Sequence, residues 1–163
     1  MNIKNAVGIL YGAEREKFAG VWQAQIEALT GFLGDGVVEV LWPTQDPVDV
    51  PVVRVKLSKW VKALEFLKGS AGGRYEFLAD YTASDETPRA ARFDLIVNLL
   101  SHESFMRLRV KTEVAESATP PTLISLWPGA NWAEREIWDM FGVRFEGHPD
   151  LRRILMDERW EGH

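Results

Sequence analysis

The sequence predicts an α+β protein, a two-layer sandwich with helices packed on one face of a mixed β-sheet, followed by a charged and aromatic C-terminal arm. The order of helix, two strands, helix and several strands along the chain indicates this arrangement. Apolar and charged residues alternate in one predicted strand, as expected where one sheet face meets water. The composition, 46% hydrophobic and 26% charged over 163 residues, is typical of one globular domain.

The first half of the chain contains two helical and two strand patterns. The spacing of apolar residues predicts an amphipathic helix over 14–32. Its buried stripe consists of four large apolar residues: Phe18, Trp22, Ile26 and Leu29. Valine-rich segments at 37–42 and 53–57 predict two strands joined by a proline-containing loop. Ser58 is placed to cap a second helix, which stops near the glycines of 69–73.

The middle of the chain is rich in strand patterns. We expect strands at 75–81, 93–100 and 105–111, the second apolar enough to be central. The segment 82–89 is polar and contains a proline, so we expect a turn or loop there. A further apolar piece, 123–127, follows a Pro-Pro break.

The last segment begins with a predicted helix. Asn131 and Glu134 have the spacing of a capping box, in which the two side chains bond each other's backbone N–H groups. This predicts a short helix over 132–140, with Gly142 as the residue that ends it.

The chain is therefore divided into an α+β domain, 1–126, and a segment, 127–163. The second part holds the predicted helix, a turn and the C-terminal arm, by which we mean the residues after the helix. Charged and aromatic residues dominate this segment, and it has too few aliphatic residues for a core of its own. We expect it to pack on the domain or on partner proteins.

Composition excludes several classes of protein. The chain has no cysteine, which rules out disulfides, thiolate zinc sites, cysteine nucleophiles and the usual ligation of iron–sulfur clusters. A net charge of −5 disfavours nucleic-acid binding. No apolar run reaches the ~18 residues of a membrane span, and no signal-peptide pattern follows Met1. We expect a soluble chain, or one that meets a membrane only through partners.

Motifs for nucleotides and metals are weak. The glycines of 69–73 lead into a predicted strand, which favours a flexible turn over a phosphate-binding loop. His102 and Glu103 could form half of a metal site, but a solvated loop is the favoured interpretation. The turn at 146–150 contains a histidine before a proline, and we favour a structural corner over a metal ligand or proton relay.

Two carboxylates on the last predicted helix could form a catalytic pair. Glu136 and Asp139 are three residues apart and could share one helix face, where pairing raises one pKa. A charged helix that pairs with nearby arginines explains the same pattern, and we favour that interpretation.

Three short motifs follow one another in the last segment. They are Glu-Arg-Glu at 134–136, Asp-Met-Phe-Gly at 139–142 and Gly-His-Pro-Asp-Leu-Arg-Arg at 147–153. The run of residues that contains them, Trp127 to Leu155, closely resembles the signature of the 30-kilodalton subunit family (designated C) of respiratory complex I, the proton-pumping NADH:quinone oxidoreductase. A weaker likeness extends this resemblance to about residues 51–163.

The resemblance implies a non-catalytic structural subunit of the peripheral arm, which docks on the quinone-site subunit (designated D) and lies near the cluster-bearing subunit (designated B). The complex passes electrons from NADH to quinone and couples this to proton translocation. The resemblance implies no cofactor in this chain, since FMN and iron–sulfur clusters lie in other subunits, and no activity of the isolated chain. The location implied is the cytoplasmic side of the cell membrane, held there by the complex.

The resemblance also implies which residues contact partners, through assembly and interface geometry and not through electron transfer. These residues are Glu134, Arg135, Glu136, Trp138, Asp139, Phe141, Phe145, His148, Pro149, Asp150, Arg152 and Arg153. Family members continue past the position of His163 with a Pro-Leu-Arg-Lys type arm, so a natural end at His163 would reduce the contact with the quinone-site subunit.

Two alternatives stay open at this point. The chain could be the equivalent subunit of a membrane-bound [NiFe] hydrogenase or of a deazaflavin-dependent dehydrogenase, which share this module. It could also be a free-standing enzyme that uses Glu136, Asp139 and His148, in which case the isolated chain would turn over a substrate.

Overall fold

The computed structural model describes residues 3–43, 45–46 and 48–163, with side chains from Phe18 onward. The helices are α1 (Ile3–Leu33), α2 (Trp60–Lys68) and α3 (Ala130–Phe141). The strands are β1 (Val37–Leu41), β2 (Val52–Val55), β3 (Phe77–Asp85), β4 (Phe93–Leu100) and β5 (Arg107–Val114). Among the described helices, none has both the length and the apolar character needed to cross a bilayer.

The five strands form one mixed sheet in the order β1-β2-β5-β4-β3. Strands β2 and β5 are parallel, and the other neighbouring pairs are antiparallel. The chain leaves β2, passes through α2 and returns at the far edge as β3. This crossover makes the sheet mixed, because β5 later enters between β2 and β4.

The helices lie on one face of the sheet, which confirms the predicted α+β sandwich. Alternate residues of β4 are buried there: Phe93, Leu95, Val97 and Leu99. The predicted stripe of α1 faces them, since Trp22, Ile26 and Leu29 are all buried. The indole N–H of Trp22 donates to the Arg107 carbonyl at 3.0 Å, which ties α1 to β5. No helix among the described residues lies on the other face of the sheet, which we call the open face.

Strand β3 is longer than the pattern predicts. The sequence indicates a strand over 75–81 and a polar loop over 82–89, but β3 continues to Asp85. Ala83 is buried in the core, whereas Ser84 is half-exposed. Thr82 and Ser84 are therefore the open-face residues of an alternating strand, so the loop prediction was wrong for 82–85, while residues 86–89 form the predicted turn.

Two element ends also differ from prediction. The predicted cap at Ser58 is absent, since residues Leu57–Lys59 form a short 3₁₀ turn and α2 begins one residue later without a side-chain cap. Strand β5 begins at Arg107 and not at Phe105, because Phe105 has a φ of 56°, which an extended strand cannot accommodate.

Candidate partner-binding site

The start of α3 differs from the predicted capping box. The residue before the helix is Gly129, and no side chain caps it. Glu134 instead points inward and is fully buried. One carboxylate oxygen accepts the backbone N–H of Leu123 at 2.6 Å, and the other accepts the Thr122 hydroxyl at 2.5 Å. The capping prediction was wrong because Glu134 accepts the buried N–H of Leu123, which would lack a partner without this carboxylate.

Glu134 lies next to the side chain of His148, which is also buried. The Nδ1 atom of His148 accepts the backbone N–H of Asp150 at 3.1 Å, so the ring proton resides on Nε2, which donates to the Asn131 carbonyl at 3.2 Å. Nε2 is 4.0 Å from the Glu134 carboxylate.

The electrostatics of Glu134 follow from this enclosure. Burial raises the pKa of Glu134 to about 7, and the hydrogen bonds from Leu123 and Thr122 only partly oppose that rise. Burial thus favours the protonated, uncharged form of this carboxyl group at pH values where an exposed glutamate is ionised.

Asp139 attaches the C-terminal arm to α3. Its Oδ2 accepts three consecutive backbone N–H groups, from Ile154 at 3.0 Å, Leu155 at 2.7 Å and Met156 at 2.8 Å. Its Oδ1 accepts a bond from the Arg153 guanidinium at 2.6 Å. Burial alone would raise the pKa of Asp139, but these four donors hold it well below its ordinary range.

Arg135 makes a second attachment of the arm. Its guanidinium donates to the carbonyls of Arg152 at 3.1 Å and Arg153 at 3.0 Å. The same guanidinium lies over the Trp132 ring, 5.2 Å from the centroid. The first motif of the signature, through Arg135, is thus hydrogen-bonded to the last motif, through the carbonyls of Arg152 and Arg153, within this chain.

Aromatic residues pack the last segment against the sheet. The Phe141 ring meets Phe93 edge-on at 6.3 Å, and the Phe145 ring meets Tyr81 in the same way at 6.0 Å. Trp138 contacts the His163 ring at 5.6 Å.

The predicted partner-binding residues fall into three groups by exposure. By whole-residue exposure, the buried group is Glu134, Arg135, Asp139 and Phe145, and the half-exposed group is Trp138, Phe141, His148 and Arg153, although the side chain of His148 itself is buried. The exposed group is Glu136, Pro149, Asp150 and Arg152. The structure does not bring Glu136 and Asp139 together as a catalytic pair, because Glu136 is in solvent and Asp139 is enclosed by the arm.

The outer side of α3 presents a line of exposed residues that sequence reasoning did not select as a whole. Trp132, Glu136 and Met140 are spaced four apart, so they lie one above the other on the helix. Trp132 is 64% exposed and Met140 is 44% exposed. The sequence could have indicated this exposed line, because the four-residue spacing places the three residues on one face of a helix. We call these three residues the α3 stripe.

The described residues contain no group of three or more His, Asp or Glu side chains that could hold a metal ion. The hydrogen bonds of Glu134, Arg135 and Asp139 are internal attachments, and they lie beneath the exposed face of α3.

Comparison with known proteins places the chain in a family. A family model described as the respiratory-chain NADH dehydrogenase 30 Kd subunit matches residues 53–163. The subunit designated C of the NADH-quinone oxidoreductase of Roseobacter denitrificans is 48% identical over 106 residues, which are 65% of this chain and 53% of that protein. The chain spans about half the length of such curated relatives.

Two further matches support the same assignment. The subunit designated C/D of the NADH-quinone oxidoreductase of Nitrosospira multiformis is 41% identical over 136 residues, which are 78% of this chain and 22% of that protein. A solved structure, the trypsin-resistant fragment (1-134) of Nqo5, has a TM-score of 0.65 and 28% identity, and the match covers 78% of this chain and 99% of the fragment. The chain belongs to the family of the 30 Kd subunit of respiratory-chain NADH dehydrogenase.

Proposed function

We propose that this chain is a non-catalytic structural subunit of the peripheral arm of complex I. The observation that carries the proposal is the use of the signature residues: Glu134, Arg135 and Asp139 are enclosed and hold the segment together. Residues used in this way shape a surface and are not arranged around a substrate. FMN and iron–sulfur clusters then belong to other subunits, and the chain lies at the cytoplasmic side of the cell membrane through the complex.

The proposed docking surface is the α3 stripe with the exposed residues of the turn and arm. Tryptophan and methionine are enriched in protein interfaces, and the stripe places Glu136 between one of each. Asp150 and Arg152 extend this surface with exposed charges. The internal bonds of Asp139 keep the arm in place beside the helix, which lowers the entropy lost on binding.

The quinone-site subunit is the proposed main partner, with the cluster-bearing subunit close by. The relative from Nitrosospira multiformis carries the double designation C/D, and this chain matches 22% of it. A single polypeptide that carries both subunits keeps them close in space. The relatives named as NADH-quinone oxidoreductase subunits favour this assembly over the related hydrogenase and deazaflavin-dependent complexes.

Substitutions on the docking surface test the proposal. We expect Trp132→Ala, Glu136→Ala and Arg152→Ala each to leave the isolated chain folded and to lower the recovery of the quinone-site subunit, for Trp132→Ala by about fivefold. The measurement is affinity purification of the tagged chain from host membranes, with the melting temperature of each purified variant.

Val38→Ala is the matched control, because Val38 is an exposed apolar residue on β1. Equal recovery of the quinone-site subunit with all variants would contradict the proposal. A fall in melting temperature with unchanged recovery would assign Glu136 and Arg152 to internal stability instead.

A further inference from the structure

The open face of the sheet has two unlike halves. In one half, Asp94 is 1% exposed and is surrounded by cations. Arg54 lies 3.0 Å from it, Arg89 2.5 Å and Lys111 4.0 Å, while Glu113 is 3.3 Å from Arg54. Charges in this half are balanced within the chain, so it offers little to a charged partner.

The other half combines apolar surface with arginine. Phe77, Leu100 and Arg107 are in register across β3, β4 and β5, so their side chains form one row on the open face. In the next row Arg109 donates to the Asn98 side chain at 2.7 Å. A cleft of about 280 Å³ lies over these two rows.

Arg107 differs from its neighbours in its ion pairs. Arg54 and Arg109 on the same face each have a carboxylate within 3.3 Å, from Asp94 and Asp49 respectively. Arg107 is exposed and makes no ion pair with any residue whose side chain is described. An arginine of this kind, in one cross-strand row with Leu100 and the exposed Phe77, is suited to a carboxylate beside an apolar side chain.

The loop beside this half has an unusual backbone. Phe105 is 77% exposed and has a φ of 56°, and Arg74 near the start of β3 has a φ of 53°. These are the two non-glycine residues with positive φ among the described residues, and Arg74 is bonded to Glu103 of the same loop at 2.7 Å. Backbone strain of this kind concentrates at functional sites.

We propose that the Arg107 end of the open face binds a short, extended, acidic segment of another protein subunit. A carboxylate of that segment pairs with Arg107, and a neighbouring apolar side chain packs on Phe77 and Leu100. A protein segment with a single carboxylate fits better than nucleic acid, because Arg107 is the one arginine of the cleft without an ion pair among the described side chains and Asp49 already pairs with Arg109, whereas a phosphate backbone needs several cations. This second surface is separate from the α3 stripe. It depends on the proposed function in one respect, which is that the partner is another subunit of the same complex.

A photo-cross-linking experiment tests the proposal. The cross-linking amino acid p-benzoylphenylalanine replaces Phe105 in the full chain, which is expressed in its host, irradiated and purified through a tag on the quinone-site subunit. We expect a cross-link to a segment of another subunit with Asp or Glu within about five residues of the linked position. Arg107→Glu lowers the yield about tenfold, since it opposes two like charges.

Lys62→Glu is the matched control, because Lys62 is an exposed cation on α2, in the helix layer. Arg107→Gln repeats the test if the reversed charge disturbs folding. Cross-links to lipid, to nucleic acid or to segments without carboxylates overturn the proposal, as does a yield that Arg107→Glu leaves unchanged. Absence of this chain from the complex purified through the tagged quinone-site subunit, with Phe105 and Arg107 intact, refutes the proposed function instead.

Discussion

At the scale of single residues, the enclosed charges explain most of the last segment. Glu134 has a hydroxyl and a backbone N–H as its donors, with the ring of His148 beyond them. Asp139 has four donors, one of which is a guanidinium. The two carboxylates are five residues apart on one helix, yet their pKa values move in opposite directions. At Asp139, a full positive charge and three backbone N–H groups outweigh the effect of burial on the pKa. At Glu134, one N–H and one hydroxyl do not.

The raised pKa of Glu134 makes the stability of the chain depend on pH. The folded chain holds this proton more tightly than the unfolded chain, whose Glu pKa is near 4.5, so the contribution is full below pH 4.5. It is lost as the pH rises through about 7. We expect Glu134→Gln to remove this decrease and to be more stable than the unmodified chain above about pH 8, as measured by urea unfolding across pH. Parallel pH profiles for both proteins would contradict the assignment.

At the scale of elements, α3 and the arm behave as one unit. The helix has an inner face that bonds the arm and the loop before it, and an outer face that carries the α3 stripe. Gly142 ends the helix with a φ of 77°, as the sequence predicts for a glycine at this position. The chain then turns back, so that Ile154 reaches the Asp139 carboxylate.

Asp139→Asn should loosen the arm from the helix. The amide lacks the charge that pairs with Arg153, and leaving that guanidinium without its carboxylate costs about 3 kcal/mol of the free energy of unfolding. We expect a lower melting temperature and faster trypsin cleavage after Arg152 or Arg153 in native buffer. Asp157→Asn is the control, because its carboxylate pairs with Arg159 in solvent. Equal cleavage rates for the two variants would count against Asp139 as the attachment of the arm.

At the scale of the whole molecule, a sheet covered on one side sets what the protein can present. Most large apolar side chains are buried between the sheet and the helix layer. The α3 stripe lies on the outer side of that layer, and the open face lies on the other side of the sheet. Such a shape suits a subunit that contacts more than one neighbour.

The isolated chain should not catalyse the reaction of the complex. We expect purified protein to cause no oxidation of NADH with a soluble quinone, because the reaction needs a hydride or electron carrier that the proposal assigns to other subunits. NADH absorbance over time is the measurement, with host membranes as the positive control. Turnover that rises with the concentration of the chain and is lost in His148→Ala would favour the enzyme hypothesis built on Glu136, Asp139 and His148.

Local patterns in the sequence were enough for the α+β class, the buried stripe of α1, most strands and the end of α3. Each of these depends on residues within one or two helical turns or along a single strand, where periodicity reports which side is buried. The motifs of residues 134–153 were likewise enough to indicate the family. The last part of β3 was not predicted as a strand, because a strand with one solvent-exposed face and a loop contain the same types of polar residue.

Tertiary contacts assigned the roles within the site. Glu134 has the sequence spacing of a helix cap, yet it serves the backbone of Leu123, eleven residues earlier. Asp139 bonds N–H groups that follow it by 15 to 17 residues. No periodicity encodes such distant pairs, because they exist only after the loop and the arm have packed against α3. The same packing determines the position of the α3 stripe. Because one face of the helix is buried by the loop and the arm, the opposite face stays exposed.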